Sequence, residues 1–167
     1  MTLDARTYSA SETLRDGRAV TIRAIRASDK QAMLDAFHGL DPHTVYLRVF
    51  SALGEPDAKT LRDWTEIDFD RLVRLVVCLP RPEGGEQIIG GASFAMLEPG
   101  NPAAGAEVSF TIEEDFQGQG LGGKLLTHLA RPFIPDSLQT RTHSRASRFV
   151  GLKRLMSSLP KPHDWSV

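Results

Sequence analysis

The chain is short of several residue types, and each shortage removes a class of protein. Its 167 residues include one cysteine, Cys78. A lone thiol cannot build a disulfide framework within the chain, and the 5 histidines are too scattered to make a zinc-ligand spacing. No metal site is expected. No apolar run approaches the ~20 residues that cross a bilayer. The opening stretch "MTLDARTYSASETLRDG" lacks the apolar core of a secretory signal. Together these absences predict a cytoplasmic protein with no membrane partner. The net charge is −1, so no excess of one sign points to nucleic acid. Repeats and low-complexity tracts are also absent. The length suits one domain with a real core.

What is present is concentrated. "DFQGQGLGGKLLTHLA", Asp115 to Ala130, carries Gly118, Gly120, Gly122 and Gly123 within six residues. Before it, 106–112 is rich in Val, Phe, Thr and Ile and reads as a strand. After it, Leu121, Leu125, Leu126 and Leu129 share one helical face. The order is strand, glycine turn, helix. The first amides of a helix have no internal acceptor and sit at the positive end of its dipole. Glycines let an anion reach them, since no Cβ intervenes. A tight turn with no ligand is the plainer alternative, but four glycines favour phosphate or pyrophosphate.

Three spacings overlap there. Gly118-x-Gly120-x-x-Gly123 fits a dinucleotide fingerprint, but no second strand ending in an acidic residue follows at the expected distance. Gly118-x-x-x-x-Gly123-Lys124 fits most of a P-loop, yet Leu125 stands where Ser or Thr should hold magnesium. Gln117-x-x-Gly120-x-Gly122 is complete.

The rest of the chain alternates simply. Residues 1–13 read as a polar, flexible tail, with a turn at Asp16-Gly17 and a strand over 19–25. Ser28-Asp29 signals a helix over 30–38, Asp41-Pro42 opens a second with Val45, Tyr46, Val49 and Phe50 on its apolar face, and Pro56-Asp57 opens a third. Strands follow at 71–79 and 87–97, and then at 106–112. A helical stretch, three successive strands and a crossover helix predict an α/β domain over 14–130.

Residues 106–130 resemble the acetyl-CoA-binding motif of the GNAT superfamily of N-acetyltransferases, (Gln/Arg)-x-x-Gly-x-(Gly/Ala). "DGRAVTIRAIRASD" and "LDPHTVYLRVF" resemble bacterial protein lysine acetyltransferases of that superfamily. The resemblance implies a mixed, mostly antiparallel sheet flanked by helices. It implies that Gln117, Gly118, Gln119, Gly120, Leu121, Gly122, Gly123 and Lys124 hold the CoA pyrophosphate. It also implies that the backbone of Thr111, Ile112 and Glu113 meets the pantetheine. Acetyl-CoA would be the co-substrate, and a protein lysine or a small-molecule amine the partner.

Transfer to an amine needs a neutral nucleophile, while a free lysine has a pKa of about 10.4. A base must take the proton. Glu107, on the strand entering the turn, is the candidate, because several GNAT enzymes keep a glutamate there. A solvent-facing strand residue is the alternative. Glu113, Glu114 and Asp115 read as a solvated acidic turn. Cys78 reads as a buried inert thiol, and His128 as a surface histidine.

Past residue 130 the text changes. Residues 1–130 hold 13 Lys+Arg and 19 Asp+Glu, and residues 131–167 hold 7 and 2. The resemblance implies a further strand, an Asn after it and a Tyr on the next helix. The only Asn is Asn101, and the only tyrosines are Tyr8 and Tyr46. Residues 131–167 therefore read as a basic atypical tail, with the carboxyl-terminal strands missing or replaced and at most a helix over 148–159. A shifted reading frame and a true variant tail both produce this pattern. The tail keeps open a degenerate GNAT-like protein that binds acyl-CoA without efficient catalysis. An open sheet edge there would invite pairing with another chain.

Overall fold

In the computed structural model, residues 4–39, 55–98, 101 and 106–133 are described here, the side chains of 131–133 apart. Five strands make one sheet in the order β1-β2-β3-β4-β5: β1 Ser9–Thr13, β2 Ala19–Ala24, β3 Leu72–Pro80, β4 Glu86–Met96 and β5 Ala106–Ile112. All four described pairings are antiparallel. The helices are α1 Lys30–His38, α2 Ala58–Thr65 and α3 Leu121–Phe133. The expected helix after Asp41, the replaced strands and the helix over 148–159 lie outside the described residues.

Strand alternation gives the sheet two apolar faces. Val73, Leu75 and Val77 of β3, Ile89, Ala92 and Phe94 of β4, and Leu121, Leu125 and Leu129 of α3 form the larger core. Half-buried Val108, Phe110 and Ile112 of β5 pack against it. The helical stripe read from Leu121, Leu125 and Leu129 is thus the face α3 lays on the sheet. On the other side Ile25, Val76, Cys78 and Ile88 meet Ala32, Met33 and Ala36 of α1. Cys78 is buried, and that burial pushes its thiol up to about 12, as an inert thiol should be.

Local chemistry explains how the helices begin. Asp57 accepts the Thr60 amide at 2.7 Å and caps α2. Asp29 does a different job from the cap expected of it. Its carboxylate accepts the Arg26 amide at 2.8 Å and the buried Arg23 guanidinium at 2.8 and 2.9 Å. Glu86 takes the other edge of the same guanidinium at 2.9 Å. The clasp ties the start of α1 to β2 and β4.

Residues 9–13 are not a flexible tail. They form β1, in register with β2 from Ser9↔Arg23 to Thr13↔Ala19. "SASET" carries no apolar alternation, because an edge strand needs little, and its hold comes from distant residues. Glu12 accepts from Lys124 and lies 2.9 Å from His128 Nε2, while His128 Nδ1 meets the Tyr8 hydroxyl. His128 is accordingly a corrected expectation. Its side chain is 14% exposed, bridging β1 and α3.

The Glu12 tie has a pH consequence. Hydrogen bonds from Lys124 and then His128 hold the Glu12 carboxyl below its ordinary 4.5. A depressed carboxylate stabilises the fold above its unfolded pKa and loses that contribution as pH falls through the folded value. Glu12→Gln is expected to cost about 1 kcal/mol at neutral pH, the upper range for a partly exposed pair. The variant and wild type should converge in stability well below pH 4.5. Urea unfolding at neutral and acid pH measures this, and an acid-independent difference would place the effect elsewhere.

Candidate acyl-CoA site

The site is built where β5 runs into α3. After Ile112 a single 3-10 turn, Glu114–Phe116, seats Phe116 in the core. The chain then reverses through Gly118 at φ +76 and Gly120 at φ +84, conformations that a side chain rarely adopts. Hence the glycines at 118 and 120 are required by the backbone itself. Gly123 has an ordinary helical backbone, and a Cβ there would meet nothing within 4 Å.

The amides decide what the turn can do. The Gln117 amide donates to the Glu114 carbonyl at 3.1 Å, and the Lys124 amide begins the helical ladder on Gly120 at 3.2 Å. Between them, the amides of Gly118, Gln119, Gly120, Leu121, Gly122 and Gly123 have no acceptor among the described residues. Donors left open at a helix N-terminus are the kind of groups an anion can take, so this turn is a candidate anion cradle.

The strand residues divide by alternation. The Glu113 amide is taken by the Ile89 carbonyl of β4 at 3.0 Å, and Thr111, of the same parity, also turns its main chain toward β4. Ile112 turns its main chain away from β4, to the edge that no described strand covers, where the Gln117 side-chain amide donates to its carbonyl at 3.3 Å. Of the three residues tied to pantetheine, Ile112 therefore has the available backbone. Burial first, then the charges of Asp115 and Glu114, hold the Glu113 carboxyl above the usual range. So only part of this acidic run is an ordinary solvated turn: Glu113 and Glu114 are half-buried and Asp115 is exposed.

Glu107 lies on β5 opposite Ala95 and is half-buried. Val108 and Phe110 point into the α3 core, so Glu107, Ser109 and Thr111 point to the other face. Ser109 and Thr111 are exposed there, and Ser109 shares a 2.7 Å hydrogen bond with Ser93 of β4. Arg74 of β3 is in register with Ser93 and donates to the Trp64 carbonyl at 2.6 Å. A base on this strand thus has a polar, solvent-reached surface beside it, and the amide cradle at the strand's end.

Lys124 is one turn into α3, but its ammonium is committed to Glu12. A cation that does touch the turn is Arg15, in the β1–β2 hairpin, whose Nη1 donates to the Gly118 carbonyl at 3.0 Å. Sequence reading passes over Arg15, because 103 residues separate it from its partner. The only local signal is a basic pair, Arg15 and Arg18, flanking the turn glycine Gly17.

Comparisons with known proteins agree with this fold. Residues 41–143, more than half of the chain, match the acetyltransferase (GNAT) family model. The chain belongs to that family. The match runs past residue 130, where the motif-based resemblance stops. Acetyltransferase PA5475 of Pseudomonas aeruginosa is 30% identical over 119 residues, covering 71% of this chain and 61% of that protein. The chain thus spans less than two thirds of that relative's length. The crystal structure of the GNAT domain of S. lividans PAT superposes with a TM-score of 0.63 at 26% identity, over 73% of this chain and 69% of that one. Acyl transfer is the chemistry of the family. Among the described residues no helix is long and apolar enough to cross a membrane, and no group of His, Cys, Asp or Glu could hold a metal ion.

Proposed function

We propose that the protein moves an acetyl group from acetyl-CoA to an amine, with a protein lysine as acceptor. The observation that carries the reading is the run of six amides, Gly118 to Gly123, without acceptors among the described residues at the head of α3. Such a cradle suits the diphosphate of CoA. Ile112 would then pair through its main chain with the pantetheine arm, along the edge of β5 that no described strand covers. That places the thioester back along the strand, toward the stretch that carries Glu107.

Glu107 takes a proton from the acceptor ammonium. The freed nitrogen attacks the thioester carbonyl carbon and an N–C bond forms; the tetrahedral adduct gives up its second N–H proton to solvent, and as it collapses the C–S bond breaks. CoA leaves as a thiolate and takes its proton from solvent. The lysine preference is supported by the likeness of "DGRAVTIRAIRASD" and "LDPHTVYLRVF" to bacterial protein lysine acetyltransferases.

The test is an incubation with acetyl-CoA and either a lysine-containing peptide or simple amines. Thiol release is followed optically, and the acceptor is weighed by mass spectrometry. The expected product is a peptide heavier by one acetyl group on a lysine side chain. Acetylated small amines with untouched peptide would reject the lysine acceptor. Tight CoA binding without any product would favour the degenerate, non-catalytic reading.

A further inference from the structure

We infer that Arg15 is the cationic ligand of the acyl donor's diphosphate, supplied by the β1–β2 hairpin and not by the glycine helix. The inference rests on the reading of the glycine turn as a CoA site.

A diphosphate carries more charge than backbone amides neutralise, so a nearby cation is expected to help. Lys124 stands at the motif's end, but Glu12 already holds it. Arg18 is also engaged: it pairs with Asp16 at 2.6 Å and lies 4.6 Å over the Phe116 ring. Arg15 differs. Among the described residues no carboxylate pairs with it, and its one hydrogen bond is the 3.0 Å contact to the Gly118 carbonyl. A guanidinium carries five N–H groups, so donors are left over.

Its position is defined from both sides. A Cβ on Gly120 would stand 3.5 Å from Arg15 Nε and 3.9 Å from Cζ. The guanidinium thus borders the cradle at its second left-handed glycine. The hairpin carrying it is anchored: Leu14 is buried in the core, and the Asp16 amide donates to the Gln119 side chain at 3.1 Å. Arg15 is therefore held beside the amides by contacts other than its own. A planar fork of donors suits phosphate oxygens, which it grips two at a time. Its contact with the turn itself points to the diphosphate, not the 3′-phosphate.

The experiment is calorimetric titration of wild type, Arg15→Met and Arg15→Lys with CoA and with 3′-dephospho-CoA, alongside thermal unfolding. Arg15→Met is expected to weaken both ligands by the same factor, about tenfold, as loss of a charged hydrogen bond does. Arg15→Lys should recover much of that loss, and melting should hardly change. Unaltered affinity in Arg15→Met overturns the inference. Loss toward CoA alone also overturns it, by assigning Arg15 to the 3′-phosphate. Equal losses in Met and Lys variants, accompanied by lowered melting, would overturn it too, since the Gly118 contact that holds the turn, and not a grip on phosphate, would then matter. Wild-type protein that binds neither ligand would remove the CoA reading itself, a result distinct from the other three.

Discussion

Gly123→Asp is expected to weaken CoA binding by about 100-fold while leaving the fold as stable as before, or more so. The position separates binding from folding. Gly123 is the third residue of α3, has an ordinary helical backbone, and has open space where a side chain would grow. A helical glycine is itself a weak point, by roughly 0.5–1 kcal/mol relative to alanine. A carboxylate in the first turn of a helix adds favourable interaction with the dipole. Melting should therefore hold or rise by a few degrees. The same carboxylate sits where a diphosphate would approach. Two unit charges about 4 Å apart repel by about 4 kcal/mol at the effective dielectric of a protein surface. Even a longer, partly screened separation leaves roughly 3 kcal/mol against a doubly charged group. Titration with CoA gives the affinity, and a melting curve gives the control. A well-folded Gly123→Asp protein that binds CoA like wild type would dismiss the turn as the diphosphate site. Gly120 is a poorer place for this test, since any side chain there strains a backbone at φ +84 and crowds Arg15.

Glu107→Gln should slow acetyl transfer by about 100-fold or more, the usual loss when a general base is removed. Glutamine keeps the size and half-burial of the side chain, so β5 and the cradle at its far end should be untouched. CoA affinity is then expected to match wild type. The two variants should part cleanly: Gly123→Asp loses binding, and Glu107→Gln keeps binding but loses rate. Initial rates at saturating acetyl-CoA, between about pH 6 and pH 9, make the measurement. Raising the pH deprotonates part of the amine without help, so the deficit should shrink toward the alkaline end. Wild-type turnover across that range would reduce Glu107 to a strand residue on a polar face.

Much of this domain was legible from local pattern. Leu121, Leu125 and Leu129 announced the buried face of α3, because helical period and burial are the same fact. The strands over 71–79 and 106–112 declared themselves through β-branched and aromatic residues. Gly118 and Gly120 could be read as a turn since only glycine takes φ +76 and +84 without strain. Each of these signals is satisfied within a few residues of chain.

The misread residues are those whose environment is made by distant partners. Ser9–Thr13 has too little apolar text to announce a strand, yet it pairs with β2 and is pinned by Glu12. Glu12 meets Lys124 and His128 across 112 and 116 residues, and Tyr8 meets His128 across 120. Those contacts moved His128 from the surface into a network and paired Lys124 with Glu12. The same end of the domain brings Arg15 onto the Gly118 carbonyl. The sequence by itself determined the glycine turn, the helix behind it and the acidic residue on the strand before it, because period and backbone preference act locally. Only the tertiary structure decided which charges surround that turn, because a charge is placed by whatever folds against it, and here that is a hairpin from the other end of the domain.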